Sequence, residues 1–336
     1  MFRTAKTILF SLSLLIGFTA CQKEELTEAS SVIDQGIATE RNNTIVDIAI
    51  SNPDFSILVA AVVKTNTVGL FSNANLNGTV FAPTNAAFAQ LPAPFNSVSG
   101  INGITNPNEI KFLTNVLRYH LIAGRKNAAQ LPNGGYGTYK TATTPNDNQI
   151  FVSRSIANEV IINGNSKVVA ADIQASNGVI HVIDKVLFYP TKDIAQIAIG
   201  NGNFTALVAA LQKTGLVNTL MSPTTNVTVF APTDAAFAQL PAPLNNAANI
   251  KGINDAATIN TLRTVLLYHL TGGRVFSADL RENITVPMVA AGNTTITLAG
   301  GAKVKGTSNP TGSNIVLTDL LARNGVIHVI DAVLLP

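Results

Sequence analysis

The stretch TVFAPTNAAFAQLP, Thr79 to Pro92, returns as TVFAPTDAAFAQLP, Thr228 to Pro241, 149 residues later and with Asn85 exchanged for Asp234 as the one change. A period of that length is too long for a solenoid repeat and has the size of a whole domain. The register holds upstream, where Phe55 and Leu58 answer to Phe204 and Leu207, and downstream, where RYHLIAGR from Arg118 answers to LYHLTGGR from Leu267. Near the ends the offset falls to 147, because NGVIHVID at 177–184 matches NGVIHVID at 324–331. Copy two has therefore lost about two residues net in between, as surface loops do. Two tandem domains are expected, 42–190 and 191–336, each large enough to bury a core of its own.

The first forty residues belong to neither copy. Arg3 and Lys6 precede an apolar run from Ile8 to Phe18 and the small residues Thr19 and Ala20, the order of a secretory signal and too short to span a membrane. Cys21 is the one cysteine of the chain, so no internal disulfide can form. FTAC at 18–21 resembles the bacterial lipoprotein cleavage box, with Phe18 standing where an aliphatic residue is usual, and the resemblance implies acylation of Cys21. Several acyl chains on one cysteine anchor stably where a single chain does not. Gln22-Lys23-Glu24-Glu25 resembles the lysine-acidic export signal of surface lipoproteins of Bacteroidota, and the residues after it run polar, as a solvated tether would. The expectation is a signal peptide at 1–20 and a lipidated tether at 21–41. The domains are expected on the outer membrane facing outward, with a periplasm-facing orientation as the alternative.

Charge excludes one class of partner. Without Arg3 and Lys6 the 22 basic side chains become 20 against 19 acidic, a balance of +1, so the calculated pI near 9.0 overstates any pull toward nucleic acid. No basic run exists and aromatics make up only 6%, so no nucleic-acid partner is expected. Only 12% of residues are charged, which leaves Asn, Thr, Ser and Gln to dress the surface.

The repeated words predict elements. Thr79-Val80-Phe81 reads as a short strand stopped by Pro83; Thr84, like Thr233 in the second copy, is an N-cap, here for a helix over Asn85 to Gln90 that Pro92 ends. Apolar spacing predicts two helical segments over Ile45 to Val63, parted at Asn52-Pro53, and two over Ile194 to Leu211, parted at Gly200-Asn201-Gly202. Ile110 to Leu121 has helical spacing as well. After about residue 138 the pattern turns to strands, IFVSR, EVIIN and KVVAADI, with Asn177-Gly178 as the turn before VIHVID. Helices first and strands later make each domain α+β, not a parallel βαβ series.

TVFAPT(N/D)AAF, the YH word after VL, and NGVIHVID resemble, in order and spacing and in both copies, the words of the fasciclin-type adhesion domain. The resemblance covers about 42–336. It implies a β-sandwich-like wedge with helices packed around it, in secreted or membrane-anchored proteins that mediate adhesion or matrix contact, with no enzyme activity and no cofactor. It also makes Tyr119, His120, Tyr268 and His269 candidate partner contacts, although Leu117 and Leu121 beside them equally fit a helix face in the core. His181 and His328 sit among Val and Ile, where each ring nitrogen must find a partner. Strand alternation sends His181 and Asp184 to opposite faces, so they cannot pair directly there, which speaks against an acid and base couple. No HExxH, CxxC, GxSxG or Walker sequence occurs, and no metal ligands are expected.

Other matched residues have plainer expected roles. Asp172 with Asp319, and Asp184 with Asp331, are expected to make turn or strand-end hydrogen bonds. Arg125 and Arg274 are expected to cap the preceding helix or pair with a carboxylate, with anion binding as the alternative. Lys185 to Asp193 leaves hardly any linker, so a semi-rigid pair is expected. Three functions are open at this point. The first is a lipid-anchored surface protein binding a matrix or cell-surface protein or polysaccharide; the second is an envelope carrier holding a small apolar or glycan ligand. The third, an enzyme, would need a repeated nucleophile or carboxylate pair that the chain does not show.

Overall fold

The structure, a computed structural model, describes residues 43–132, 136–143 and 148–336. The expected leader, Cys21, the export signal and the tether lie outside the described residues.

In the first domain the seven strands are β1 (Gly78–Pro83), β2 (Leu121–Ala123), β3 (Tyr136–Lys140), β4 (Gln149–Arg154), β5 (Val160–Ile162), β6 (Ser166–Ala175) and β7 (Gly178–Ile183). They form one sheet in the order β2-β1-β7-β6-β5-β4-β3. The second domain repeats this with β8 (Val227–Pro232), β9 (Leu270–Gly272), β10 (Thr285–Pro287), β11 (Asn293–Thr297), β12 (Lys303–Lys305), β13 (Ser313–Ala322) and β14 (Gly325–Ile330). Helices precede and interrupt the strands, so the α+β class holds, but the centre of each sheet is parallel. β1 runs alongside β7 with Phe81 opposite His181, and β8 alongside β14 with Phe230 opposite His328. All six residues of β1 and of β7 are buried, as expected for strands covered on both faces.

The two faces carry different cores. Val80, Ala82, Ile180 and Val182 pack under the helices with Phe55, Leu58, Phe88 and Leu117. Phe81 and Ile183 point the other way and pack with Tyr119, Ile150, Val152 and Ile162. β6 links these halves: its start pairs with β5, its remainder with β7, and the register shifts twice between Val168 and Ile173. Asp172 in that bulge has φ 62°, and Asp319 in β13 has φ 59°, the left-handed region that Asp tolerates better than most residues. The sheet thus folds over a second apolar layer, which gives the wedge its sandwich-like section.

Expected helices appear at Ile45–Ser51 with Ser56–Lys64, and at Ile194–Ile199 with Thr205–Lys213, broken as the sequence indicates. The helix expected over Ile110 to Leu121 is Pro107–Tyr119, and Leu121 instead starts β2, pairing with Val80. Thr84 and Thr233 both cap, accepting from Ala87 N and Ala236 N at 3.2 Å. Gly178 and Gly325 open the last strands because a side chain there has no room: a Cβ would lie 2.5 Å from Gly78 O and 2.1 Å from Val227 O.

Between the domains, Phe151 on β4 meets Phe276 with ring centroids 5.7 Å apart, and Val326 joins them in one buried cluster. The Arg274 guanidinium carbon lies 4.5 Å over the Phe151 ring. Arg323 N donates to Lys192 O at 2.9 Å, fastening the connecting segment to domain 2. This buried aromatic and cationic contact is where the two domains meet.

The single difference in the repeated word has a local reason. Helices Ser56–Lys64 and Thr205–Lys213 have no side-chain cap of their own, since Phe55 and Phe204 occupy the N-cap positions. Asn85 Oδ1 accepts from Ile57 N at 3.0 Å while its amide donates to Pro53 O at 2.9 Å. Asp234 accepts from Ala206 N at 2.7 Å and from both Thr205 N and Thr205 Oγ. Each side chain caps a helix about thirty residues away, and either type can do so. Asp234→Ala is expected to cost about 1–2 kcal/mol in urea unfolding and Asp234→Asn less than half of that; equal losses would show that capping is not its role.

Candidate functional site

The residues singled out by the repeated words converge on the middle of each domain. His120 is the C-cap of helix Pro107–Tyr119 and is 3% exposed. Its Nδ1 lies 2.7 Å from Val116 O and its Nε2 accepts from Leu187 N at 2.9 Å. A single tautomer, with the proton on Nδ1, satisfies both bonds. His269 repeats this with Val265 O at 2.7 Å and Leu334 N at 2.9 Å. Tyr119 Oη donates to Gln149 O at 2.6 Å and accepts from Asn163 Nδ2 at 3.0 Å, and burial pushes its hydroxyl pKa up. Tyr268 donates to Asn293 O.

The expectation that Tyr119, His120, Tyr268 and His269 meet a partner is corrected here. Both tyrosines are fully buried, both histidines nearly so, and all four side chains are spent on holding helix, sheet and last segment together. A partner could reach them only by opening the core.

His181 and His328 are fastened in a different manner. His181 Nε2 lies 2.8 Å from Lys126 O, and its Nδ1 accepts from Asp172 N at 3.3 Å; Phe81 stacks on the ring at 5.6 Å. His328 does the same with Val275 O and Asp319 N. Each histidine thus supplies an acceptor to the backbone amide at the bulge. Asp172 Oδ1 in turn accepts from Ala128 N at 2.7 Å, and Asp319 from Ser277 N at 2.8 Å and from Ser277 Oγ. These aspartates act inside a strand and not at its end, which differs from the expectation. Asp184 and Asp331 do sit at strand ends, accepting from Lys167 N and Asn314 N at 2.7 Å.

Arg125 and Arg274 were expected to cap the preceding helix or pair with a carboxylate, and both reach instead to backbone carbonyls of a distant turn. Arg125 donates to Ala175 O and Gly178 O at 3.0 Å and to Ser176 O at 2.5 Å, and Arg274 to Ala322 O, Gly325 O and Arg323 O. Each guanidinium clamps the carbonyls of the last hairpin turn, about fifty residues away, a spacing that carries no local sequence signal. Asn177 and Asn324 complete the turn: Asn177 Oδ1 accepts from Ile45 N at 2.9 Å and its amide donates to Phe71 O, while Asn324 does so for Ile194 N and Leu220 O. Among the described residues no group of three or more His, Cys, Asp or Glu side chains is placed to hold a metal ion.

What the fold and these fastenings define is a tandem α+β domain whose repeated histidines are internal ties. The fasciclin domain matches residues 53–190 and 202–336, and the chain belongs to that family, one of adhesion-type proteins. It is 38% identical over 186 residues to protein sll1483 of Synechocystis sp., across 55% of this chain and 95% of that one. It is 33% identical over 265 residues to transforming growth factor-beta-induced protein ig-h3 of Sus scrofa, across 77% of this chain and 34% of that one, so it spans about a third of that relative. Among solved structures it is similar to a FAS1 domain pair from the insect cell adhesion molecule Fasciclin I, at 19% identity and a TM-score of 0.40, over 88% of this chain and 98% of that chain.

Burial lowers the pKa of His120 and of His269 from 6.5 to about 4, against the smaller opposing effect of the backbone bond to Val116 or Val265. In the unfolded chain the ordinary value returns, so between pH 6.5 and 4 the unfolded state takes up protons that the folded state refuses. Stability present above the unfolded value is therefore lost as pH falls through that window, by about 3 kcal/mol per histidine. His181 and His328 are shifted in the same direction by burial. His269→Gln is expected to flatten the slope of unfolding free energy against pH by close to one proton; a slope unchanged in the variant would contradict this.

Proposed function

We propose that the chain is a lipid-anchored, non-enzymatic adhesion protein, exported and held on the outer membrane through acylated Cys21, with its two domains presented at the cell surface to a matrix or cell-surface protein or polysaccharide. The observation that carries this is the adjoining pair: two fasciclin domains joined by a short connection and by the buried Phe151, Phe276 and Val326 contact. Two contact faces at constant spacing gain avidity on a repetitive partner without losing it to linker entropy. Support for a non-enzymatic role comes from the histidines, whose ring nitrogens are all engaged by backbone partners, so none can serve as a base without breaking the core. No cofactor enters this reading.

A carrier would need an enclosed pocket of ligand size. The enclosed apolar cavity in domain 2, lined by Phe204, Leu207, Leu266 and His269, has a volume of about 20 Å³ and would hold no more than a water-sized group.

Protease treatment of intact cells tests the display. The wild-type domains are expected to be cut, the Lys23→Ala, Glu24→Ala, Glu25→Ala chain to be protected until the outer membrane is opened, and Cys21→Ser to be released from membranes. Wild-type domains protected on intact cells would place them in the periplasm and overturn surface adhesion.

A further inference from the structure

The duplication supplies an internal control, because a surface feature present in one copy and missing from the other is not required by the fold. Among aromatic side chains of described burial, Phe112 at 37% and Phe188 at 42% are the exposed ones. They stack on each other, with centroids 6.0 Å apart and planes 14° from parallel. Of the three half-buried rings, Phe95 and Tyr189 flank this pair, 5.5 Å and 6.5 Å from Phe112. Tyr189 in turn meets the buried Tyr119 edge-on at 6.1 Å, which fixes the array to the core. At the matching positions copy two carries Leu244, Thr261, Leu335 and Pro336, and it folds in the same way without the rings.

Polar groups around the array are equally specific to copy one. Asn108, Phe112 and Asn115 lie at i, i+4 and i+7 on helix Pro107–Tyr119, and Lys111, Asn115 and Arg118 run alongside in the same spacing. Among the described residues none gives the side chains of Asn108, Lys111, Asn115 or Arg118 a hydrogen-bond or ion-pair partner, and Arg118 Nε is buried without one. Glu109 is the one carboxylate of that helix, so cations prevail. In copy two Ala257, Asn260, Thr264 and Leu267 stand in these places. The array continues into an open cleft of about 350 Å³ between the domains, where Phe188 and Tyr189 are joined by Asn163, Asn165 and Lys192.

We propose that this face of domain 1 binds an acidic polysaccharide, its sugar rings stacking on Phe112 and Phe188 while Lys111 and Arg118 meet the carboxylates and the asparagine amides meet hydroxyls. Aromatic faces carry negative charge density that attracts the C–H bonds of a sugar ring, and a pre-ordered stack loses little entropy on binding. Two exposed rings make too small an apolar patch for a stable protein interface, which takes about 800 Å² per partner, whereas a narrow stripe rimmed with amides fits a single sugar chain. The unpaired cations select the acidic kind. This site deepens the adhesion reading and rests on it for its biological setting.

Affinity electrophoresis of the mature chain in gels containing alginate, a uronic-acid polymer, or neutral dextran tests the site. Alginate is expected to retard the wild type, less so as salt rises, and dextran is not. The variant Phe112→Thr with Phe188→Leu takes its residues from copy two; it should melt like the wild type and bind alginate about tenfold more weakly. Lys111→Gln with Arg118→Leu should abolish the salt dependence. Wild-type retardation in the ring variant, or equal salt-independent binding of both polymers, would overturn the proposal. So would a wild-type dimer that binds no alginate and that the ring variant dissociates, since the stripe would then contact a second copy. Purified protein is used, so a failure of surface display leaves this result intact. Weaker alginate binding in a ring variant that still supports cell adhesion would uphold the site and separate it from the adhesion reading.

Discussion

One strand in each domain has to serve two halves of a sheet, and the rest of the structure follows from how that is managed. β6 and β13 leave one partner and take another through a bulge, at Asp172 and Asp319 with positive φ. A bulge strands backbone amides inside the protein, where an unmet donor is costly. The amide of each bulge aspartate is met by Nδ1 of His181 or His328 from the neighbouring strand. Only a side chain that accepts at one end and donates at the other could also reach the carbonyls of Lys126 and Val275, and neutral histidine is such a side chain. Its buried position holds it neutral, so one ring both satisfies the bulge and ties it to the segment that follows β2 or β9.

The YH word obeys the same logic one layer away. His120 and His269 bridge the end of a helix to the last segment of their domain, and the tyrosine beside each reaches across the inner core to a strand carbonyl. Arg125 and Arg274 clamp the hairpin turn that the bulged strand makes with its partner. Identical words recur in both copies because these ties are what each copy needs in order to fold. Binding specificity is then to be sought where the copies differ, and on the surface of copy one the exposed rings of Phe112 and Phe188 are such a difference.

Much of this was legible in the residues. Proline, threonine and alternating apolar positions located β1, the capped helix after it and the breaks at Asn52-Pro53 and Gly200-Asn201-Gly202, since these signals act over a few residues. The parallel pairing of β1 with β7 was not read, although two strands with six consecutive buried residues are what a centre covered on both faces requires. Leu121 looked helical because its spacing continues that of Leu117, yet the capped helix ends at His120 and the chain turns into β2. Arg125 and Asn177 act across fifty to more than one hundred residues, and nothing local announces such partners. Tyr119 and His120 were candidates for contact through the family resemblance alone; the alternative reading, a helix face in the core, is the one their burial supports.

The most direct test of this account is the accessibility of the four histidines in the folded chain, followed by diethyl pyrocarbonate labelling at neutral pH with peptide mapping. His120, His181, His269 and His328 are expected to stay unlabelled until the chain is unfolded, and then to react together. Labelling of His120 or His269 in the folded protein at the rate of a free histidine would mean that the YH word is open to solvent, and its role as an internal tie would be wrong.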